Sequence, residues 1–265
     1  MNIIVCLKQV PDTETRITLR AGEKAVDEGS INWILNPYDE FAVEEALRIR
    51  ERLGSGTVTL VSMGPGRAEQ ALRTGLAMGA DEAVHLKDEA FEGSDPGVVA
   101  KVLAAAIGGM AYDLILCGKQ AIDDDSAQVG PRLAELLGLP QVTFITRLEL
   151  AADLKSAVAY REVEGATEVV EVTLPAVLTA SKGLNEPRYP SLMGIKKAAR
   201  KEIRVLDLAT LGLAAGEVGR AGSATGVVDI FLPPPRQGGR LVEGDTPAEK
   251  ARALVKLLHE EARIV

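Results

Sequence analysis

Apolar and polar positions follow two different periods along the first half of the chain. Residues 2–8 (NIIVCLK) form a nearly continuous apolar run, the pattern of a strand covered on both faces. Residues 38–53 (YDEFAVEEALRIRERL) place Phe41, Val43, Ala46, Leu47, Ile49 and Leu53 at helical spacing. Asn36 and Pro37 open that helix as N-cap and first residue, and Gly54 closes it. The same periods predict strands at 57–62, 82–87 and 112–117, and helices at 67–78, 96–109 and 126–137. Such alternation predicts an α/β fold: a mostly parallel sheet flanked by helices, with right-handed crossovers.

After residue 140 the pattern changes. Residues 141–150, 156–163 and 167–174 read as consecutive strands, the last two joined at Glu164-Gly165-Ala166. They predict an antiparallel flap (about 141–174) on the same domain, followed by an apolar strand at 176–180. Gly183, Pro187, Pro190 and Gly194 make the next segment a loop, with a short helix at 195–201. The α/β domain is thus expected to span residues 1–204, and 205–265 to form an extended C-terminal arm. That arm carries Gly212, Gly216, Gly219, Gly222, Gly226 and Pro233-Pro234-Pro235, then an amphipathic helix at 246–260 with Thr246 as N-cap. A stretch so rich in glycine and proline cannot build its own core, which suits it to lie across another chain.

Composition narrows the function classes. Of 265 residues, 46% are apolar, enough for one sizeable core. Aromatics are 3% and net charge is −8, both unfavourable for a nucleic-acid binder. No apolar run approaches the ~18 residues of a membrane span. The N-terminus lacks a basic region and a cleavage site, so no targeting peptide and a cytoplasmic location are expected. Two cysteines and two histidines exclude a disulfide framework and hardly supply a zinc site.

In a parallel sheet, ligands sit beyond the carboxyl ends of the strands. Four turns leave those ends, at 8–13, 62–66, 87–95 and 118–125; the first, second and fourth are expected to build a small-molecule site. The fourth is the richest in chemistry: Gly118, Lys119, Gln120, Ala121, Ile122, Asp123, Asp124, Asp125, then Ser126, Ala127, Gln128, Val129 and Gly130. Asp125 and Gln128 have capping-box spacing, and the amides after Asp125 would be donors at a positive helix end, suited to phosphate. Three carboxylates oppose an anion unless they turn away, cap the backbone or hold a ribose hydroxyl. A nucleotide loop and a well-capped solvated loop both fit these residues. A magnesium site is disfavoured, because consecutive acids rarely converge on one ion.

Gly64-Pro65-Gly66 is half of a dinucleotide fingerprint, with Glu69 where the third glycine would stand, and reads as a tight turn. Asn36 and Asp39 could offer an amide and a carboxylate to a ligand, although capping alone accounts for Asn36 and Pro37. Cys6 and Cys117 end buried strands with no imidazole near them in sequence, so they read as small core groups. His85 and His259 have no spacing partner. Ser-His-Asp or Cys-His catalysis is not excluded by counting, but it would rest on one of these two histidines.

One segment is unusual for a monomer. Residues 185–201 carry Leu192, Met193 and Ile195 on a loop bounded by proline and glycine, followed by Lys196, Lys197, Arg200 and Lys201. Apolar anchors beside positive charge suit docking onto an acidic protein.

Residues 118–130 (GKQAIDDDSAQVG), 161–180 (REVEGATEVVEVTLPAVLTA) and 183–198 (GLNEPRYPSLMGIKKA) resemble the small (beta) subunit of electron-transfer flavoprotein, as do 35–48 and 74–86. The resemblance covers essentially the whole chain. It implies an adenine-nucleotide-binding, HUP-like α/β fold and a heterodimer with a large (alpha) subunit that holds most of the FAD contact. It also implies electron transfer from acyl-CoA or other flavin dehydrogenases toward a membrane quinone reductase, without acid–base catalysis by this subunit. Carried over by position, the nucleotide pocket would comprise Cys6, Asn36, Pro37, Tyr38, Asp39, Met63 and Gly118 through Val129. Standard members hold AMP there; electron-bifurcating members hold a second FAD and use NADH. Bifurcating members typically read Asp-Gly-Asp where this chain reads Asp123-Asp124-Asp125, which favours AMP, whereas Ser126 to Pro131 resembles the bifurcating type. The docking loop's leucine is matched by Leu192, with Met193 at a position often proline. Glu162 matches a glutamate near the flavin at the subunit junction, and Thr13 stands where some members place a tyrosine. A universal-stress-type nucleotide-binding protein is the alternative of another class, supported by the nucleotide loop but not by 185–201.

Overall fold

The N-terminal apolar run becomes β1 (Asn2–Cys6), whose Ile3, Ile4 and Val5 are buried on both faces in the middle of a nine-stranded sheet. The computed structural model describes residues 1–20, 25–235 and 238–264. Within it, Met1–Asp229 form one compact unit and Ile230–Val265 a second.

In chain order the first unit contains β1, β2 (Gln9–Pro11), β3 (Trp33–Leu35), α1 (Pro37–Leu53), β4 (Thr57–Met63), α2 (Glu69–Met78) and β5 (Glu82–Leu86). Then come α3 (Pro96–Ile107), β6 (Leu114–Gly118), α4 (Val129–Leu137), β7 (Gln141–Leu150), β8 (Ser156–Val163), β9 (Ala166–Thr173) and β10 (Val177–Ala180). The unit closes with α5 (Leu192–Ala198), β11 (Arg204–Leu206) and the short α6 (Gly219–Gly222). The sheet order is β11-β5-β4-β1-β6-β10-β7-β8-β9. Every pair from β11 through β7 is parallel, and β8 and β9 extend the sheet antiparallel as the expected flap. β2 and β3, not foreseen from periodicity, make a separate two-stranded antiparallel sheet.

Alternation along β1, β4 and β6 divides the core in two. Ile3, Val5, Leu60, Leu114 and Leu116 pack under α1 and α2, while Ile4, Val61, Val84 and Ile115 pack under α3 and α4. α1 begins at Pro37 as expected and ends at Gly54, which takes the left-handed conformation that glycine adopts without penalty.

Several boundaries differ from the sequence-based expectation, two of them by enough to change the picture. α4 begins at Val129 rather than 126, because Asp125 and Ala127 take left-handed conformations. Residues 205–229, expected to start the C-terminal arm, stay with the first unit. β11 pairs with β5, and Asp95 accepts the amides of Ala224 (2.9 Å) and Thr225 (3.1 Å). The second unit carries α7 (Pro247–Leu257), with Thr246 and Glu249 forming a capping box, and a five-residue π-helical turn continues it at Leu258–Ala262. Among the described residues no helix is long and apolar enough to cross a membrane.

Candidate functional site

Because β1, β4, β5 and β6 run parallel, their carboxyl ends share one edge, and the turns that leave them surround a cavity of about 740 Å³. Four turns contribute, not the three expected. The third, through Lys87, Asp88, Glu92 and Ser94, closes one side. It folds over the edge because Asp88 caps the Ala90 amide at 2.9 Å while Phe91 is buried. Met63, Phe91, Val99 and Leu103 give the cavity an apolar wall.

The loop after β6 is held by α1. Asp39 Oδ1 accepts the Gly118 amide at 3.0 Å and Oδ2 accepts the Lys8 amide at 2.7 Å, so one carboxylate ties the ends of β6 and β1 together. Burial pushes the Asp39 carboxyl up to about 7, against the pull of these amides and the Lys8 charge. Asn36 occupies the N-cap position, but its side chain does not cap α1. Its Nδ2 donates to the Gln120 carbonyl at 2.9 Å and its Oδ1 accepts the Ile122 amide at 3.2 Å. The Asn36-to-Asp39 motif therefore shapes the loop as well as starting the helix.

The three consecutive acids are each engaged by neighbours. Lys8 Nζ lies 2.8 Å from Asp123 and 3.1 Å from Asp124. Burial disfavours that ammonium, yet the two carboxylates hold its pKa above the ordinary lysine value. Asp124 also accepts the Ser126 amide at 3.0 Å, and Asp125 accepts from Gln120 Nε2 at 2.6 Å. Asp125 and Ala127 have φ of 50° and 52°. A right-handed helix cannot run through those conformations, so the expected Asp125–Gln128 capping box does not form and α4 starts later. Pro131 has no N–H and the Arg132 amide donates to the Gln128 carbonyl at 3.1 Å, so the amides of Val129 and Gly130, both at the cavity, are the helix-start donors without an acceptor in the helix.

Of the residues expected at the pocket, Cys6, Asn36, Asp39, Met63, Gly118, Lys119, Gln120, Ala121, Asp124, Ser126, Ala127, Gln128 and Val129 line the cavity. Pro37, Tyr38, Ile122, Asp123 and Asp125 do not. Tyr38 turns instead toward Lys119, whose Nζ stands 4.8 Å from its ring and 5.2 Å from that of Phe144. Periodicity gave no sign of Arg67, which stacks over Trp33 at 3.5 Å and reaches Glu28 at the cavity rim. Cys6 and Cys117 are register partners on β1 and β6. Hydrogen bonding to Cys117 and burial push the Cys6 thiol well up, which keeps it protonated and unreactive. Among the described residues no three His, Cys, Asp or Glu side chains gather as a metal site.

A family model for the electron transfer flavoprotein domain matches residues 24–211. The chain is 45% identical to the electron transfer flavoprotein subunit beta of Bacillus subtilis, across all of both chains. It is 42% identical to CarD, a subunit of the caffeyl-CoA reductase-Etf complex of Acetobacterium woodii, over 98% of this chain and 99% of that one. Protein FixA of Azotobacter vinelandii is 40% identical over 89% of this chain and 85% of its own. The chain belongs to the electron transfer flavoprotein beta-subunit family.

Members of this flavoprotein family are electron carriers. The helix expected at 195–201 is α5, starting at Leu192 because Ser191 Oγ caps the Gly194 amide at 3.0 Å. In this electron transfer flavoprotein chain α5 exposes Leu192 (79%), Met193 (63%) and Ile195 (50%), with Lys196, Lys197 and Arg200 exposed beside them. Lys201 is not part of that face. Its Nζ donates to the carbonyls of Ala80 (2.6 Å) and Asp81 (2.8 Å). Glu162, on β8, and Thr13, just after β2, are both exposed.

Proposed function

We propose that this chain is the small subunit of a heterodimeric electron carrier whose cavity at the strand ends holds AMP as a structural ligand. The observation that carries the proposal is the cavity itself, bounded by a loop that α1 pre-shapes through Asn36 and Asp39. Its volume lies in the range of small-molecule pockets, about 300–1,000 Å³. Met63, Phe91, Val99 and Leu103 suit a base, and the amides of Val129 and Gly130 at the start of α4 suit a phosphate. Asp124, paired with Lys8 at the cavity, narrows it toward a mononucleotide.

FAD, held mainly by the large subunit, supplies the redox chemistry when bound. Glu162 and Thr13 face that flavin at the subunit junction, and the C-terminal arm packs on the large subunit. Electrons enter from acyl-CoA or other flavin dehydrogenases docked on Leu192, Met193 and Ile195, steered by Lys196, Lys197 and Arg200. They leave toward a membrane quinone reductase, and the carrier works in the cytoplasm.

A second reading places another FAD in the same cavity, as in an electron-bifurcating carrier that also uses NADH. The observation that favours it is the size of the cavity, about 740 Å³.

Ser126→Ala and Gln128→Ala test the choice. If AMP is structural, both variants retain less nucleotide and melt lower, while flavin reduction per assembled heterodimer is unchanged. Nucleotide-free protein that assembles and melts like wild type would refute the structural role. Loss of a second flavin together with NADH oxidation would establish the second reading.

A further inference from the structure

The segment that leads into α5 has almost no backbone support of its own. Among the described residues, 185–190 make no backbone–backbone hydrogen bond, and Pro187 and Pro190 have no N–H to give. The seven residues of α5 are too few to hold a helix unaided. Yet Tyr189 is 96% exposed and Leu192 79%, so the segment displays large side chains without collapsing onto them.

Side chains supply the missing support. Arg188 Nε and Nη2 donate to both oxygens of Glu44 at 2.7 and 3.2 Å, and its Nη1 and Nη2 to both oxygens of Glu51 at 2.6 and 3.0 Å. The Arg188 amide also donates to Glu44 at 3.2 Å. Glu44 is only 2% exposed, and Arg48, one turn along α1, bonds it at 2.8 Å. Asn185 adds bonds to the Phe41 carbonyl and to Glu45. At the far end, Arg73 donates to the carbonyls of Ala198 and Lys201, each at 2.6 Å. Gly194 lies so close to α2 that a Cβ there would sit 2.4 Å from the Ala77 carbonyl oxygen.

We propose that Arg188 is a positioning residue for partner docking: by bridging Glu44 and Glu51 on α1, it fixes the angle at which Leu192 and Met193 meet a flavin dehydrogenase. The inference rests on the docking role proposed above. A planar guanidinium is required, because it alone can bond two carboxylates through both edges at once, whereas an ammonium keeps the charge but loses the fork. Tyr189, between the two prolines and next to the latch, is carried outward with the same segment.

The test uses the purified heterodimer with Arg188→Lys, Arg188→Ala and Leu192→Ala, and an acyl-CoA dehydrogenase as electron donor. Arg188→Lys keeps a counter-charge for Glu44, so it should fold and hold flavin as wild type does. Its amides at 191–195 should exchange hydrogen about tenfold faster, and its KM for the dehydrogenase should rise several-fold with kcat retained. Arg188→Ala should exceed it on both readouts, so lysine acts as a partial rescue. Wild-type exchange and KM in both Arg188 variants, with KM raised in Leu192→Ala, would overturn the latch and leave the docking site standing. An unchanged KM in Leu192→Ala would overturn the docking reading, and the inference with it.

Discussion

Asp39 and Gly118 fit each other at both the hydrogen-bond and the steric level. The carboxylate accepts the Gly118 amide at 3.0 Å, and a Cβ added at 118 would stand 2.2 Å from the same oxygen. The loop that bounds the cavity therefore departs from β6 at a point where only glycine leaves room for the side chain that anchors it.

Gly118→Ala should displace either the Asp39 carboxylate or the loop. A lost bond to a buried acceptor costs about 1–3 kcal/mol, so the variant should melt lower and retain less nucleotide. Thermal denaturation and nucleotide extraction check both effects. A variant that matches wild type on both would mean that the bond has no part in holding the loop.

Asp39 also sets a pH dependence. An exposed carboxyl titrates near ~3.9, whereas buried Asp39 titrates at about 7. Between these values the folded state binds more protons than the unfolded state, so this group's contribution to stability falls as pH rises toward about 7. The full loss is on the order of 4 kcal/mol, roughly three pKa units at about 1.4 kcal/mol each. Urea denaturation at pH 5 and pH 8 should show a steeper fall for wild type than for Asp39→Asn. Equal slopes would contradict the assignment.

Periodicity sufficed for the long elements, where several buried side chains repeat at one spacing, and missed β2 and β3, which are three residues each. Phe41, Val43 and Leu47 marked α1, and the run 141–150 matched β7 end to end. It failed where polar side chains compete with the helix backbone. Asp124 takes the Ser126 amide, and Asp125 and Ala127 turn left-handed, so α4 starts later than its apolar pattern suggests. The third cavity wall depends on Phe91 folding inward, and the outward turn of Tyr38 depends on Lys119 and Phe144, which are distant in sequence. Lys201 read as one more surface charge because its carbonyl partners lie some 120 residues earlier.

That last difference separates two kinds of lysine. Lys201→Met should lower stability by about 1–2 kcal/mol, since it leaves the Ala80 and Asp81 carbonyls without their charged donor, and should not change the salt dependence of partner-driven flavin reduction. Neutralising Lys196, Lys197 and Arg200 should do the reverse, flattening salt dependence at unchanged stability. Stopped-flow reduction at two ionic strengths, with melting curves, distinguishes them. A flattened salt response in Lys201→Met would return that residue to the docking face.

Leu192→Ala should weaken partner binding by roughly 10- to 150-fold, the equivalent of burying one leucine at ~1.5–3 kcal/mol. Flavin content and the absorption spectrum should stay as in wild type. Loss of FAD or of the large subunit in this variant would assign α5 to the subunit interface instead.

The most direct measurement is the nucleotide content of the chain purified together with its large subunit. Denaturation, separation and quantification of the released cofactors should give one FAD and one AMP per heterodimer. Two FAD and no AMP would move the account to the bifurcating reading. A colourless assembly of this chain alone, carrying ATP or no nucleotide at all, would contradict it.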